Sequence, residues 1–222
     1  MQLLVRIDWL KSLRFNFQYL SFADAIRLPI LVYWKTRINC LKGSISIQGP
    51  LSFGQVRIGD PRIGVQDHKY SRTVWQLCEG GQIVFNGGAN LGRGSRICVE
   101  EGATLCLGDR FSITGDTTIL CHKSIVFGED CLLSWDVLVM DTDWHRISDS
   151  QGTVINPDKA ISLGNHVWIG CRSTVLKGAE IPSGCVIAAG SIVAKPLPMT
   201  NTIYGGCGKD VYPLRENIIW SH

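Results

Sequence analysis

The residues best suited to chemistry are gathered in one polar stretch, 140–160, which holds Asp141, Asp143, His145, Arg146, Asp149 and Asp158. Histidine is the side chain whose ordinary titration lies closest to neutral pH, so His145 is the candidate general base. Such a base needs an acceptor on its second ring nitrogen, and Asp143 and Asp141 are within reach by sequence. A loop of this length inside a compact domain is usually functional or disordered. The Asp-x-Asp-Trp-His run at 141–145 favours function. Among the other histidines, His122 lies where neighbouring segments could carry it toward His145, and His166 reads as an outward surface group. His68 and His222 sit in no pattern. Cys171 as a nucleophile would need an activating base beside it, and none is visible.

The elements that must position these groups announce themselves by period. From Leu163 every sixth residue is aliphatic: Leu163, Ile169, Val175, Ile181, Ile187 and Val193. The fifth position of each unit is small or thin: Val167, Ser173, Ala179, Cys185 and Ser191. A period of six fits neither a helix nor a two-faced strand. It fits a solenoid of short strands joined by corners, with one side chain driven inward at each step. The repeat is also legible at Ile83, Phe85, Leu91 and Ile97, then Leu107, Ile113, Ile119 and Ile125. It shifts register by two after Ile125 and restarts as Phe127, Leu133 and Val139. The stretch 140–160 offers no inward position and reads as an excursion from the solenoid.

Composition narrows the class. A net charge of +3 with no basic stripe interleaved with aromatics argues against nucleic acid. Nine scattered cysteines with no CxxC pair read as reduced thiols in a cytosolic setting, with Cys131 and Cys185 as small apolar repeat residues. The N-terminus lacks the pattern of a secretory signal, and the apolar run Leu28–Trp34 is too short to span a membrane. The expectation is a cytoplasmic, soluble protein, with peripheral membrane contact left open. Residues 1–42 are rich in aromatic and basic side chains, with a short helix expected after Ser21 and ended by Pro29. They read either as a cap over the open end of the solenoid or as an interfacial segment. Residues 43–195 form the solenoid, with 66–80 as a loop, and 196–222 a C-terminal extension.

The run Ile161-Ser162-Leu163-Gly164-Asn165-His166-Val167-Trp168-Ile169-Gly170, followed by Val186-Ile187-Ala188-Ala189-Gly190-Ser191-Ile192-Val193-Ala194-Lys195, resembles the hexapeptide-repeat acyltransferases. The nearest likeness is to the maltose and galactoside O-acetyltransferases and the acetyltransferases of polysaccharide biosynthesis. It is strong over residues 90–211 and faint over the N-terminal segment. The resemblance implies an all-β fold, a left-handed parallel β-helix with three hexapeptides per coil. It implies a homotrimer with sites between subunits, and acetyl-CoA as co-substrate with no metal. It places the catalytic base on His145. It places the coenzyme along Trp168, Cys171, Ala189 and Lys195, with a further basic residue at Lys209. The family's turn before that residue is replaced here by Gly206-Cys207-Gly208, and Tyr212 stands where a second basic residue is common. Thr114 occupies the place of an acceptor-binding asparagine, with Asp116 and His122 as further candidates for acceptor contact.

The implied reaction is transfer of acetyl to a hydroxyl of a sugar or glycan precursor, with an amino-sugar amine as an alternative. A lyase of the γ-class carbonic anhydrase type shares the scaffold, but zinc there needs three histidines, and His122, His145 and His166 are too widely spaced to present a close pair. A non-catalytic trimeric scaffold is the remaining reading.

Overall fold

The six-residue period resolves into three parallel sheets wrapped around one apolar lumen in the computed structural model, which describes residues 6–61, 70–208 and 210–221. The winding is that of a left-handed parallel β-helix. The first face runs from β1 (Ile30–Val32) to Ile203–Gly205. The second runs from β2 (Thr36–Leu41) to Cys207–Gly208, and the third from β3 (Ser44–Ile47) to Glu180–Ile181. The solenoid therefore begins inside the segment assigned above to the cap and continues beyond Lys195. The strand Thr73–Leu77 likewise falls within the stretch expected to be a loop.

All six sixth-position residues from Leu163 to Val193 are buried, and so are all five fifth-position residues. Coil length explains why the repeat is clean only there. Trp168 lies opposite Val186, so that coil is three whole hexapeptide units. Ser112 lies opposite Leu132 and Phe111 opposite Ala89, which makes those coils longer than three whole units. Longer coils use four-residue strands with two inward side chains, such as Ile125 and Phe127, which produces the register shift. Several corners are turned by non-glycine residues in the left-handed region, among them Arg110, Asp130, His166 and Arg172. The corner residues also bond from coil to coil, as in Asp130 N–H to the Asp109 carbonyl and His166 N–H to that of Glu129.

The lumen is closed at its start by helix α1 (Trp9–Tyr19), followed by the short α2 (Phe22–Ala25) that Ser21 caps as expected. The face that α1 turns inward is largely polar. Asn16 Oδ1 accepts from the Ile30 N–H at 3.1 Å, while its Nδ2 donates to the Ile30 carbonyl at 2.7 Å. Ser12 Oγ accepts from the Val32 N–H at 2.9 Å. Two side chains thus supply the hydrogen bonds that a neighbouring strand would give. Phe15 enters the apolar core there, edge-on to Trp75 at 5.5 Å, and Tyr19, half-buried, packs against it. At the far end, Tyr212–Arg215 folds back antiparallel on Ile203–Gly205. The tail then returns to stack Trp220 on His166, centroids 3.9 Å apart. His166 is half-buried, with Nδ1 on Asp130 at 2.7 Å and Nε2 on the Trp220 carbonyl at 2.9 Å, and is not the free surface group expected.

Asn16→Leu keeps the bulk but leaves the Ile30 N–H and C=O without a side-chain partner. The expected loss is about 2–4 kcal/mol, measured as a lower midpoint of denaturant unfolding. Phe17→Ser, on the outer stripe of the same helix, should change stability by no more than about 0.5 kcal/mol.

Candidate active site

At Met140 a strand of the second face ends, and the chain leaves for the excursion before joining the third face at Ile161–Leu163. The departure is built on Asp141, which is fully buried. Its carboxylate accepts the backbone N–H groups of His122, Lys123 and Ser124 at 2.7, 2.9 and 2.7 Å. Its carbonyl accepts from Lys159 N–H at 3.3 Å, closing the neck of the loop. Thr142 is buried as well, so the excursion does send residues inward at its root.

Further out, Asn156 staples the loop. Its Nδ2 donates to Asp143 Oδ2 and to the His145 carbonyl, both at 2.8 Å, and its Oδ1 accepts from Ile147 N–H at 2.6 Å. Lys177, on the next coil, donates to Asp143 at 2.5 Å and to the Asn156 carbonyl at 2.8 Å. The bond from the Lys177 ammonium, with help from Asn156, holds the Asp143 carboxyl below the usual range. Nothing in the sequence marks Asn156 or Lys177, because the bonds they make join segments that meet only once the coils are stacked.

These tethers shape a cleft of about 500 Å³ whose lining includes His122, Trp144, His145, Arg146, Asn156 and Asp158. Two histidines therefore line one cleft, although 23 positions separate them in the sequence. Neither Asp143 nor Asp141 reaches the His145 ring: the first is held by Lys177 and Asn156, the second lies beneath the corner at 122–124. The carboxylate that stands against a histidine ring here is Asp158, its Oδ2 2.9 Å from His122 Nδ1. Asp141 in turn fixes the backbone of His122. Among the described residues, no cluster of three or more His, Cys, Asp or Glu side chains is arranged to hold a metal ion.

The remaining candidates lie elsewhere on the solenoid. Thr114 is on the first face, half-buried, and Asp116 turns the corner from the first face to the second. Trp168 projects from the first face, its Nε1 donating to Ser134 Oγ at 3.0 Å. Cys171 and Ala189 occupy the same first-to-second edge, where the Cys171 carbonyl accepts from Gly190 N–H at 2.9 Å. Lys195 is on the second-to-third edge, as the excursion is, and is half-buried. Lys209 and His68 lie outside the described residues. One chain thus distributes the candidates over two edges, separated by one face, on the order of 15 Å for a four-residue strand and its corner. All nine cysteines are free, and burial pushes the thiols of Cys185 and, to about 11, Cys131 upward, consistent with packing residues.

No protein-family model matches the chain. Its sequence is similar to the polysialic acid O-acetyltransferase of Escherichia coli O1:K1 / APEC, 29% identical over 127 residues that make up 56% of this chain and 40% of that protein. The polysialic acid O-acetyltransferase of Neisseria meningitidis is 42% identical over 65 residues, covering 29% of this chain and 30% of the relative. The galactoside O-acetyltransferase of Escherichia coli K12 is 29% identical over 100 residues, 44% of this chain and 48% of that one. The chain thus spans less than half the length of each of these relatives. In fold it matches the crystal structure of the polySia-specific acetyltransferase NeuO, with a TM-score of 0.60 at 22% identity over 87% of this chain and 84% of that one. These relatives are acetyltransferases of the kind the sequence resembles.

Asp141→Ala removes the acceptor for three backbone donors. The expected loss is about 2–4 kcal/mol of stability, read as a lower unfolding midpoint, with Asp141→Asn intermediate. For Asp143 the sign runs the other way from a histidine. A depressed folded pKa stabilises above the unfolded carboxylate range and loses that effect only as the pH falls through the folded value. The loop should therefore stay tethered from pH 8 down to pH 5. Asp143→Asn should raise the rate of tryptic cleavage at Arg146 several-fold at pH 8 while barely moving the unfolding midpoint.

Proposed function

We propose that the chain is an O-acetyltransferase that moves acetyl from acetyl-CoA to a hydroxyl of a sugar or glycan precursor. The observation that carries this reading is the pair of histidines, His122 and His145, in one cleft at the excursion of a β-helix whose relatives are named O-acetyltransferases. A hydroxyl is a poor nucleophile at neutral pH. As its oxygen attacks the thioester carbonyl, a histidine takes its proton, and backbone N–H groups beside the cleft receive the developing oxyanion. Collapse of the tetrahedral intermediate expels the CoA thiolate, which takes the proton back from the imidazolium. The coenzyme would run past Trp168, Cys171 and Ala189, where the exposed Ala189 and the open space beside Gly190 leave the backbone accessible. Lys195 and Lys209 would face its phosphates.

His145 is the base by resemblance to the family. A second assignment is favoured by geometry. His122 has a carboxylate beside its ring, Asp158 at 2.9 Å, that His145 lacks, and its backbone is fixed by Asp141. Trp168, Cys171 and Ala189 lie a face away from the cleft, whereas Lys195 shares its edge, so a complete site would draw on a neighbouring copy. A homotrimer meets that need. The outward apolar residues of the excursion, Trp144, Ile147 and Ile155, each more than half exposed, support such a contact.

The test is CoA release from acetyl-CoA with a panel of glycan acceptors, beside calorimetric binding of acetyl-CoA. His145→Ala should lower kcat by at least about 10²-fold with coenzyme affinity nearly unchanged, and Lys195→Ala should weaken binding roughly tenfold. Full activity in His145→Ala with its loss in His122→Ala would move the base to His122. No binding at millimolar acetyl-CoA would overturn the transferase reading.

A further inference from the structure

We infer that the N-terminal cap is a docking surface for an anionic phospholipid bilayer. This inference stands on the cap alone and not on the acetyl-transfer reading. Helix α1 is amphipathic in the inverted sense. Its inward face presents Ser12 and Asn16, spent on the edge of β1, and its outward stripe presents Trp9, Leu10, Leu13 and Phe17. Phe22 extends that stripe, its ring 5.8 Å from Phe17, and Ile26 and Trp34 stand exposed nearby in sequence. Leu10 is 81% exposed and Phe22 74%. A helix that served only to cover the lumen would turn its apolar residues inward. Here the core takes Phe15 and packs Tyr19, while Trp9, Leu10, Leu13 and Phe17 remain in water, where a patch of this kind marks a contact surface.

Charge selects the occupant. Between Arg6 and Arg37 there are six basic residues against two acidic ones, Asp8 and Asp24. Lys11, one position from Leu10, also lines a cleft of about 320 Å³ shared with Lys35, Arg37, Tyr70 and Arg72. Lys35, Arg37 and Arg72 around one depression, with Lys11 there paired to Asp8 at 2.8 Å, suit lipid phosphates above acyl chains. No helix among the described residues is long and apolar enough to cross a membrane. At 11 residues, α1 is about 16 Å long, a length suited to lying in the interface.

The experiment is flotation of the whole chain with vesicles of phosphatidylcholine alone or of phosphatidylcholine mixed with phosphatidylglycerol. The wild type should float with the anionic vesicles at low salt, and less so as salt rises or with phosphatidylcholine alone. Leu10→Ser/Phe17→Ser, both exposed, should reduce partitioning at least tenfold with an unchanged circular dichroism spectrum and melting temperature. Arg37→Gln/Arg72→Gln should reduce the anionic preference several-fold. Absence of flotation with anionic vesicles at low salt would overturn the inference, as would wild-type flotation of the Leu10→Ser/Phe17→Ser variant. An oligomer in solution that this variant breaks, without vesicle binding by the wild type, would assign the face to a second copy of the chain instead.

Discussion

In a parallel β-helix each coil finds its backbone partners only in the coil before it and the coil after it. A buried N–H or C=O left without one costs about 1–3 kcal/mol, so every place where the stacking stops or is interrupted must bring its own donors and acceptors. Three such places organise this molecule. At the start, the edge of β1 is met by Asn16 and Ser12 from helix α1. At the end, Tyr212–Arg215 turns back antiparallel and pairs with the last strand of the first face. In the middle, where the excursion departs, the carboxylate of Asp141 takes up three N–H groups of the corner below. The polar residues that look misplaced in a hydrophobic solenoid are the ones that let it begin, end and open.

The cleft follows from the same constraint. Stacked coils lie about 4.8 Å apart, so residues remote in sequence but equal in corner position come together. His122 arrives from the coil below the excursion and Lys177 from the coil above, with the loop itself between them. Asp141 links the first of these to the loop's root, and Asn156 links the second to the backbone of His145. The histidine pair is thus positioned by the register of the sheets as much as by the loop. That is why the nearby carboxylate of Asp143 is bonded to Lys177 and Asn156, while Asp158, from the far end of the excursion, reaches the ring of His122.

The lumen is legible in the sequence wherever coils are equal in length. From Leu163 to Val193 a spacing of six picks out buried residues without error, because each coil there repeats as three like units. Longer coils break that arithmetic, and the strand Thr73–Leu77, with Trp75 in the core, reads as loop. Helix α1 is hidden for a different reason. Its inward positions mix Ser12 and Asn16 with Phe15, while more apolar residues face outward, and a search for an apolar inward stripe reads such a helix inside out. The excursion shows as a polar gap, but proximity in sequence is a poor guide to the partner of Asp141. A carboxylate so close to His145 in the chain can just as well face the opposite way into the fold, and the buried donors at 122–124 draw it there.

The cap and the cleft are set at a fixed distance by the solenoid between them. The excursion leaves after Leu138–Met140, four steps along the second face from β2, which is roughly 19 Å at the spacing between parallel strands. A rigid stack of hydrogen-bonded coils does not shorten that distance. Were the solenoid axis to stand along the normal of a bilayer carrying the cap, the cleft would lie about that far from the headgroups, beyond a single sugar carried on a lipid. A hydroxyl on a glycan several units long would reach it, and so would a soluble saccharide arriving from the side. In that orientation the acceptor's length, and not only its chemistry, would enter the selectivity of the site.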